Sequence, residues 1–189
     1  MRFVIKYKSE SKNEKARSGA VNAEDRLLSL YRRVYSMPKF VRVLKILGAL
    51  SVFYIAGVFL YGVAVLVYEG QYLFTLHLLL VTAIPFLVVS LMRIFINSPR
   101  PYEVFDTPEL EKMRESRKGG RSFPSRHVFS AFLIGVLWLY FNTLYGIVAI
   151  ILGLFMATER VILGIHFPKD VITGAVIGAL SGVVGILIL

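Results

Sequence analysis

Two uncharged apolar runs constrain this chain more than anything else in it. Ile46 to Tyr68 carries no charge over 23 positions, about 34 Å as a helix and enough to cross a bilayer core. Val128 to Thr158 is uncharged over 31 positions, more than one crossing needs. A soluble domain spreads its apolar residues through an alternating pattern. Here a 56% hydrophobic content and a mean hydropathy of +0.66 come in continuous blocks, so lipid is the solvent for most of the chain. The fold class is therefore all-α: a polytopic transmembrane helical bundle of about five spans plus an N-terminal amphipathic interfacial helix.

The blocks place these elements. Residues 1–22 are polar and of mixed charge and read as a tail. From Glu24 to Met37, Leu27, Leu28, Tyr31, Val34 and Tyr35 recur at helical spacing with Arg26, Arg32 and Arg33 between them, and Pro38 ends the pattern. This is the signature of a helix lying on the membrane surface, or equally of a solvated helix packed on the rest. The first span runs from Val43 to Tyr68, and the turn Glu69-Gly70-Gln71 leads to a second from Tyr72 to Ile96, with Pro85 as a tolerated kink. A hydrophilic loop covers Asn97 to Ser125. The long run that follows divides at Asn142-Thr143 and Gly146 into spans of 127–141 and 144–163. The last span is Pro168 to Leu189. This gives two parts: residues 1–40, tail and interfacial helix, and residues 41–189, membrane-embedded. In the final span Gly174, Gly178 and Gly182 form a small-residue stripe for close helix packing inside the bundle, or alternatively for a homodimer.

The 189 residues carry 22 basic and 12 acidic side chains, a formal charge of +10, and no cysteine. Disulfides, thiolate metal sites and cysteine nucleophiles are thereby excluded. In a membrane chain a basic excess marks the cytoplasmic flank and attraction to anionic headgroups, and no nucleic-acid motif is present. The first 40 residues hold no short apolar core with a small-residue cleavage site, so no secretory signal fits them.

Polar residues gather where spans meet one membrane face. Arg93 and Arg100-Pro101 end the second span, Pro124-Ser125-Arg126-His127 opens the third, and Arg160, His166 and Asp170 bridge the fourth and fifth. All three groups share a face only if the chain turns at Asn142. As one helix, Val128 to Thr158 would leave His127 and Arg160 roughly 50 Å apart. Arg93, Arg100 and Arg160 offer permanently charged planar forks suited to phosphate oxygens. The backbone N–H groups at Ser125, Arg126 and His127 begin a helix, where an anion is favoured, and Ser125 can cap it or donate to phosphate. Such a pocket stabilises a transferring phosphoryl group without a metal. Asp170 can accept a hydrogen bond from one nitrogen of His166, leaving the other to attack phosphorus, while His127 can protonate the leaving oxygen and later activate water. No cofactor is called for.

These residues resemble the signature of the type 2 phosphatidic acid phosphatase superfamily: Lys-x6-Arg-Pro, Pro-Ser-Gly-His and Ser-Arg-x5-His-x3-Asp. The chain has Arg93-x6-Arg100-Pro101, Pro124-Ser125-Arg126-His127 and Glu159-Arg160-x5-His166-x3-Asp170, in the same order and at the same spacings. The resemblance implies a membrane lipid phosphatase. It makes His166 the phosphohistidine, Asp170 its orienting partner and His127 the general acid, with Arg93, Arg100, Ser125 and Arg160 holding phosphate. Three departures stand out. Arg93 replaces lysine. Arg126 replaces glycine, putting a bulky cation beside the phosphate that can reach a second phosphate or a headgroup. Glu159 replaces serine and is placed to pair with an arginine. The family commonly has six spans, against five here.

The substrate is thus a phosphorylated lipid of the phosphatidic acid, phosphatidylglycerol phosphate or isoprenoid diphosphate class. Two other readings are a membrane protein that binds phospholipid headgroups without turnover, and a relative of the vanadate-dependent haloperoxidases, which share the anion pocket but are soluble and use lysine first. His77, outside the pattern, reads as structural, and Trp138, Tyr140 and Tyr145 as a belt at the far interface. Up to Lys45 there are 12 basic and 4 acidic residues, which puts the N-terminus in the cytoplasm. After two spans the catalytic loop returns to that same face. The location expected is a bacterial or archaeal plasma membrane.

Overall fold

A computed structural model describes residues 24–116 and 119–189; the expected tail, 1–22, lies outside them. All regular structure among them is helical: α1 (24–35), α2 (Pro38–Tyr68), α3 (Tyr72–Ile96), α4 (Pro101–Val104), α5 (Pro108–Ser116), α6 (Arg126–Phe141), α7 (Thr143–Ile162) and α8 (Pro168–Ile188). The helices α2, α3, α7 and α8 are long and apolar enough to cross a membrane. Leu50, Phe53, Leu60, Ile84, Leu87, Ile151 and Leu180 stand exposed on them, which suits lipid as the surrounding solvent. The chain is an integral membrane protein.

The fifth apolar helix, α6, has 16 residues, a rise of about 24 Å against a hydrocarbon core of about 30 Å. It is the central element, packed against α2, α3, α7 and α8. A short central helix is tolerable because four neighbouring helices pack around it.

The long apolar run does divide at Asn142, whose side chain accepts a hydrogen bond from Tyr145 N at 3.2 Å and caps α7. Gly146, expected to help the turn, instead lies inside α7. A Cβ there would sit 2.5 Å from Leu139 N and 2.8 Å from Gly135 O, so the glycine is needed for the α6–α7 crossing. Around this end Trp138 packs on Tyr61, Phe141 and Tyr145; Trp138 is buried, while Tyr140 and Tyr145 are exposed.

The glycine stripe of α8 is consumed within the chain. Cβ atoms at Gly174 and Gly182 would lie 2.6 Å from Ser125 O and 2.7 Å from Val136 Cβ, and one at Gly178 would press on Phe129 O. These residues face α6, so the alternative of a homodimer through that stripe loses its surface.

The face where the three motifs meet is covered by α1, α4 and α5. Tyr31 and Val34 of α1 pack in one cluster with Tyr102, Phe105, Leu110, Met113, Leu163 and Ile165. Leu110 and Leu163 are fully buried, each contributing about 1.5–3 kcal/mol. Tyr35 donates to Leu163 O at 3.1 Å, tying α1 to the α7–α8 turn. The amphipathic pattern of α1 thus serves packing onto the site face. Because α2 begins at Pro38, the expected boundary after residue 40 falls inside its first turn.

Candidate active site

The site is assembled at the near ends of α3, α6, α7 and α8, where each helix stops for a local reason. α3 ends at Asn97 in the left-handed conformation, φ 40°. α7 ends before Gly164, whose φ of 66° lies where a side chain is strained; a Cβ there would also lie 3.0 Å from Leu110. That turn points His166 back toward α6. α8 starts on Pro168, with Phe167 N donating to Asp170 Oδ2 at 3.0 Å. Ser125 N donates to Asp170 O at 2.9 Å, so the close approach permitted by Gly174 locks the starts of α6 and α8 together.

His166 and Asp170 are nearly inaccessible, at 3% and 0% exposure, as is Ser122 at 0%. Their geometry fixes a tautomer. The Ser122 hydroxyl donates to Asp170 Oδ2 at 2.5 Å and lies 3.2 Å from His166 Nδ1. With its one proton given to the carboxylate, the serine can only accept from Nδ1. Nδ1 itself lies 3.5 Å from Asp170 Oδ2. The imidazole proton therefore sits on Nδ1 and the lone pair on Nε2 is left for chemistry. Burial holds the His166 pKa below its ordinary value, the Asp170 hydrogen bond offsets part of this, and Arg100 and Arg93 push further down. The lowered pKa favours the neutral ring near pH 7.

The arginines converge on the same place. The charges acting on the His127 imidazole are those of Arg160, His166, Arg126 and Arg93, and those acting on Arg93 are Arg126, Arg100, Asp170 and Arg121. Arg93 is buried at 5% exposure, and its Nη1 donates to the carbonyls of Ser122 and Pro124. It therefore holds the loop that carries Ser122 and Ser125. Arg100 donates from Nε to Gly120 O at 3.1 Å and from Nη1 to Ile165 O at 3.3 Å, joining the loop to the residue before His166. Arg160 pairs with buried Glu159, Nε to Oε2 at 3.2 Å, as the departure at 159 leads one to expect. Glu159 in turn rests against Gly48 of α2, where a Cβ would be 3.0 Å from Oε1.

Ser125 offers no side-chain cap to α6. Its hydroxyl is buried with no hydrogen-bond partner among the described residues, a donor in want of an acceptor and well suited to a phosphate oxygen. Arg126 and His127 open onto a cavity of about 450 Å³ whose remaining lining is mostly apolar, from α2, α3, α6 and α7. Arg93, Arg100, Ser125, Arg126, His127, Arg160, His166 and Asp170 are thus neighbours at the near ends of these helices. No group of three or more His, Asp or Glu side chains among the described residues could hold a metal. His77 lines a separate apolar cleft between α3 and α8, away from this cluster.

Three contributors escaped the sequence. Ser122 bridges His166 and Asp170. Arg121, at φ 54°, adds its charge near Arg93. Glu103 Oε2 accepts from Arg100 N at 2.8 Å and Gly120 N at 2.7 Å, fixing the loop. Only Ser122 carried a local signal, its place just ahead of Phe123-Pro124-Ser125; Glu103 acts from 17 residues away.

A family model for the PAP2 superfamily matches residues 74–189. The fold is similar to the crystal structure of Aquifex aeolicus LpxE, with a TM-score of 0.61 and 22% identity over 85% of this chain and 94% of that one. It is also similar to a transmembrane PAP2-type phosphatidylglycerolphosphate phosphatase from Bacillus subtilis, with a TM-score of 0.66 and 20% identity over 88% and 84%. At these identities the likeness is one of fold. The bacitracin transport permease protein BcrC of Bacillus licheniformis is 36% identical over 81 residues, 42% of this chain and 39% of that protein. The chain therefore matches well under half of that relative's length.

Proposed function

The chain belongs to the PAP2 superfamily, a family of phosphatases, and from that premise we propose that it hydrolyses a phosphorylated membrane lipid through a phosphohistidine on His166. The observation that carries the reading is the Ser122–His166–Asp170 contact set, in which Nδ1 is engaged and Nε2 is not. Nε2 attacks phosphorus while Arg93, Arg100, Arg160 and Ser125 hold the equatorial oxygens, with charge also from Arg121 and Arg126. His127 gives a proton to the leaving oxygen and then takes one from the water that cleaves the P–N bond. Arginine charge fills the part a metal plays elsewhere, so the reaction is proposed to be metal-independent.

The substrate classes in view are phosphatidic acid, phosphatidylglycerol phosphate and isoprenoid diphosphate. One of the similar solved structures is named as a transmembrane phosphatidylglycerolphosphate phosphatase, which supports a lipid. A site at the mouth of an apolar cavity and the start of a short central helix supports it too. Headgroup binding without turnover has no use for a neutral, oriented His166. A haloperoxidase-like reading has no use for a membrane bundle.

The test is release of inorganic phosphate by purified protein from a panel of lipid mono- and diphosphates with EDTA present. Release is expected, and His166→Ala abolishes it while the melting temperature stays near that of the parent. Equal turnover by the variant overturns the role of His166, and loss of activity in EDTA overturns metal independence.

A further inference from the structure

Position 126, where the resembling family has glycine, holds an arginine whose placement bears on the substrate. Arg126, Ser130 and Ile134 lie at four-residue steps on one face of α6 and line the cavity of about 450 Å³ together with His127, as helix geometry requires. One end of that cavity is polar, made by Arg126 and His127, and the rest is apolar, with Val52, Phe59 and Phe86 among its walls. A lipid chain fits the apolar part, which orients the substrate. On the phosphatase reading, with the reacting phosphorus at His166 and the leaving oxygen at His127, the groove that His127 and Arg126 line is the one open to whatever follows that oxygen.

Arg93, Arg100 and Arg160 already converge where the reacting phosphate must lie. Arg126 is a further cation. Its side chain is exposed, lines the groove and has no hydrogen bond or ion pair among the described residues. Its charge bears on both Arg93 and His127. Like charges gathered at an apolar border are unfavourable unless an anion joins them. With a phosphomonoester the atoms directly beyond the leaving oxygen are carbon, and where a second phosphate is present, as in phosphatidylglycerol phosphate, a whole glycerol unit separates it from the reacting one. With a diphosphate the second phosphate follows that oxygen directly.

We propose, resting on the phosphatase reading above, that Arg126 binds the leaving phosphate of a lipid diphosphate, which makes the substrate a lipid diphosphate and the product a lipid monophosphate. His166 Nε2 forms a P–N bond to the terminal phosphorus as the bond from that phosphorus to the bridging oxygen breaks. The electron pair departs with the bridging oxygen on the lipid monophosphate, which takes a proton from His127 while Arg126 meets the developing charge. Water then gives a proton to His127 and forms a P–O bond as the P–N bond breaks, releasing phosphate and restoring His166. The sum is lipid diphosphate plus water to lipid monophosphate plus phosphate.

Farnesyl diphosphate and farnesyl phosphate share one chain and isolate the second phosphate. Initial rates of phosphate release by the purified full chain in detergent are expected to favour the diphosphate in kcat/KM by roughly tenfold or more, the scale of one charge-assisted contact. Arg126→Gly reduces that preference by roughly tenfold to a hundredfold, and Arg126→Lys keeps part of it. Arg126→Gln gives the same ratio test should the glycine variant not fold. A preference unchanged in these variants, or a parent that favours the monophosphate, overturns the inference and leaves the phosphatase reading standing. A parent that releases phosphate from neither probe nor from any lipid of the wider panel overturns both.

Discussion

The hydroxyl of Ser122 sets the state of two ionisable groups, because its single proton goes to Asp170 and its lone pair faces His166 Nδ1. Ser122→Ala removes that relay. Asp170 then pairs with His166 directly, which raises the imidazole pKa, and kcat is expected to fall by roughly threefold to tenfold, the scale of one neutral hydrogen bond. A kcat loss with little change in KM, and an acid limb displaced toward neutral pH, mark a positioning role; an unmoved limb contradicts it. The parent's own limb follows from the burial that lowers His166. The protonated ring has no lone pair to attack with, so kcat/KM declines on the acid side, with its midpoint below the ordinary value of 6.5. Stability carries the same sign. The unfolded chain takes up this proton at the ordinary pKa and the folded chain does not, so the contribution is present above 6.5 and is lost as pH falls toward the folded value. A limb at or above 6.5 in a pH profile contradicts the assignment. At this scale the motif residues were legible because phosphate chemistry demands particular side chains at particular spacings. Ser122, Arg121 and Glu103 were not, since each acquires meaning only when the loop closes against α3 and α8.

Among elements, the helices that touch lipid were readable from their uncharged runs: α3 has the expected ends, Tyr72 and Ile96, whereas α2 starts at Pro38 rather than Val43. The turn at Asn142 was readable because the uncharged run is too long for one crossing and carries the turn signal Asn142-Thr143, and a shared anion site for His127 and Arg160 requires it. The loop was harder. Residues 97–125 carry two helices, α4 and α5, and Pro101 and Pro108 at their starts, each followed by acidic residues, were the available signals; charge density masked them. The glycine stripe of α8 was read correctly as packing, and its consequence is measurable. Gly178→Ala puts a methyl group against the Phe129 carbonyl, an atom of the backbone that cannot step aside. The α6–α8 crossing must widen, and with it the Ser125–Asp170 contact. A loss of about 1–3 kcal/mol, a lower melting temperature and reduced turnover are expected. Gly57 of α2 is the matched control, with open space around its missing side chain, and Gly57→Ala is expected to leave stability unchanged or raise it. Equal behaviour of the two variants would mean that the stripe does not set helix separation.

For the molecule as a whole, parity decides which way the site faces. The helix α1 packs onto the α7–α8 turn and α5, so the N-terminal flank and the catalytic loop occupy one side. The other side is reached by the turns at Glu69 and Asn142. Among the described residues, Glu69 is the one charged side chain in these turns. Against the strongly basic N-terminal flank, the positive-inside rule then favours a cytoplasmic site. The absence of cysteine makes the orientation directly measurable. Gly119 is a poor position for a label because a side chain there would collide with Glu103. Ser116, exposed at the end of α5, and Gln71, exposed in the opposite turn, are suited to it. In intact cells a membrane-impermeant maleimide is expected to modify Gln71→Cys and spare Ser116→Cys until the membrane is opened. The reverse pattern would place His166 outside, and the phosphorylated lipid it acts on would have to be drawn from the outer leaflet.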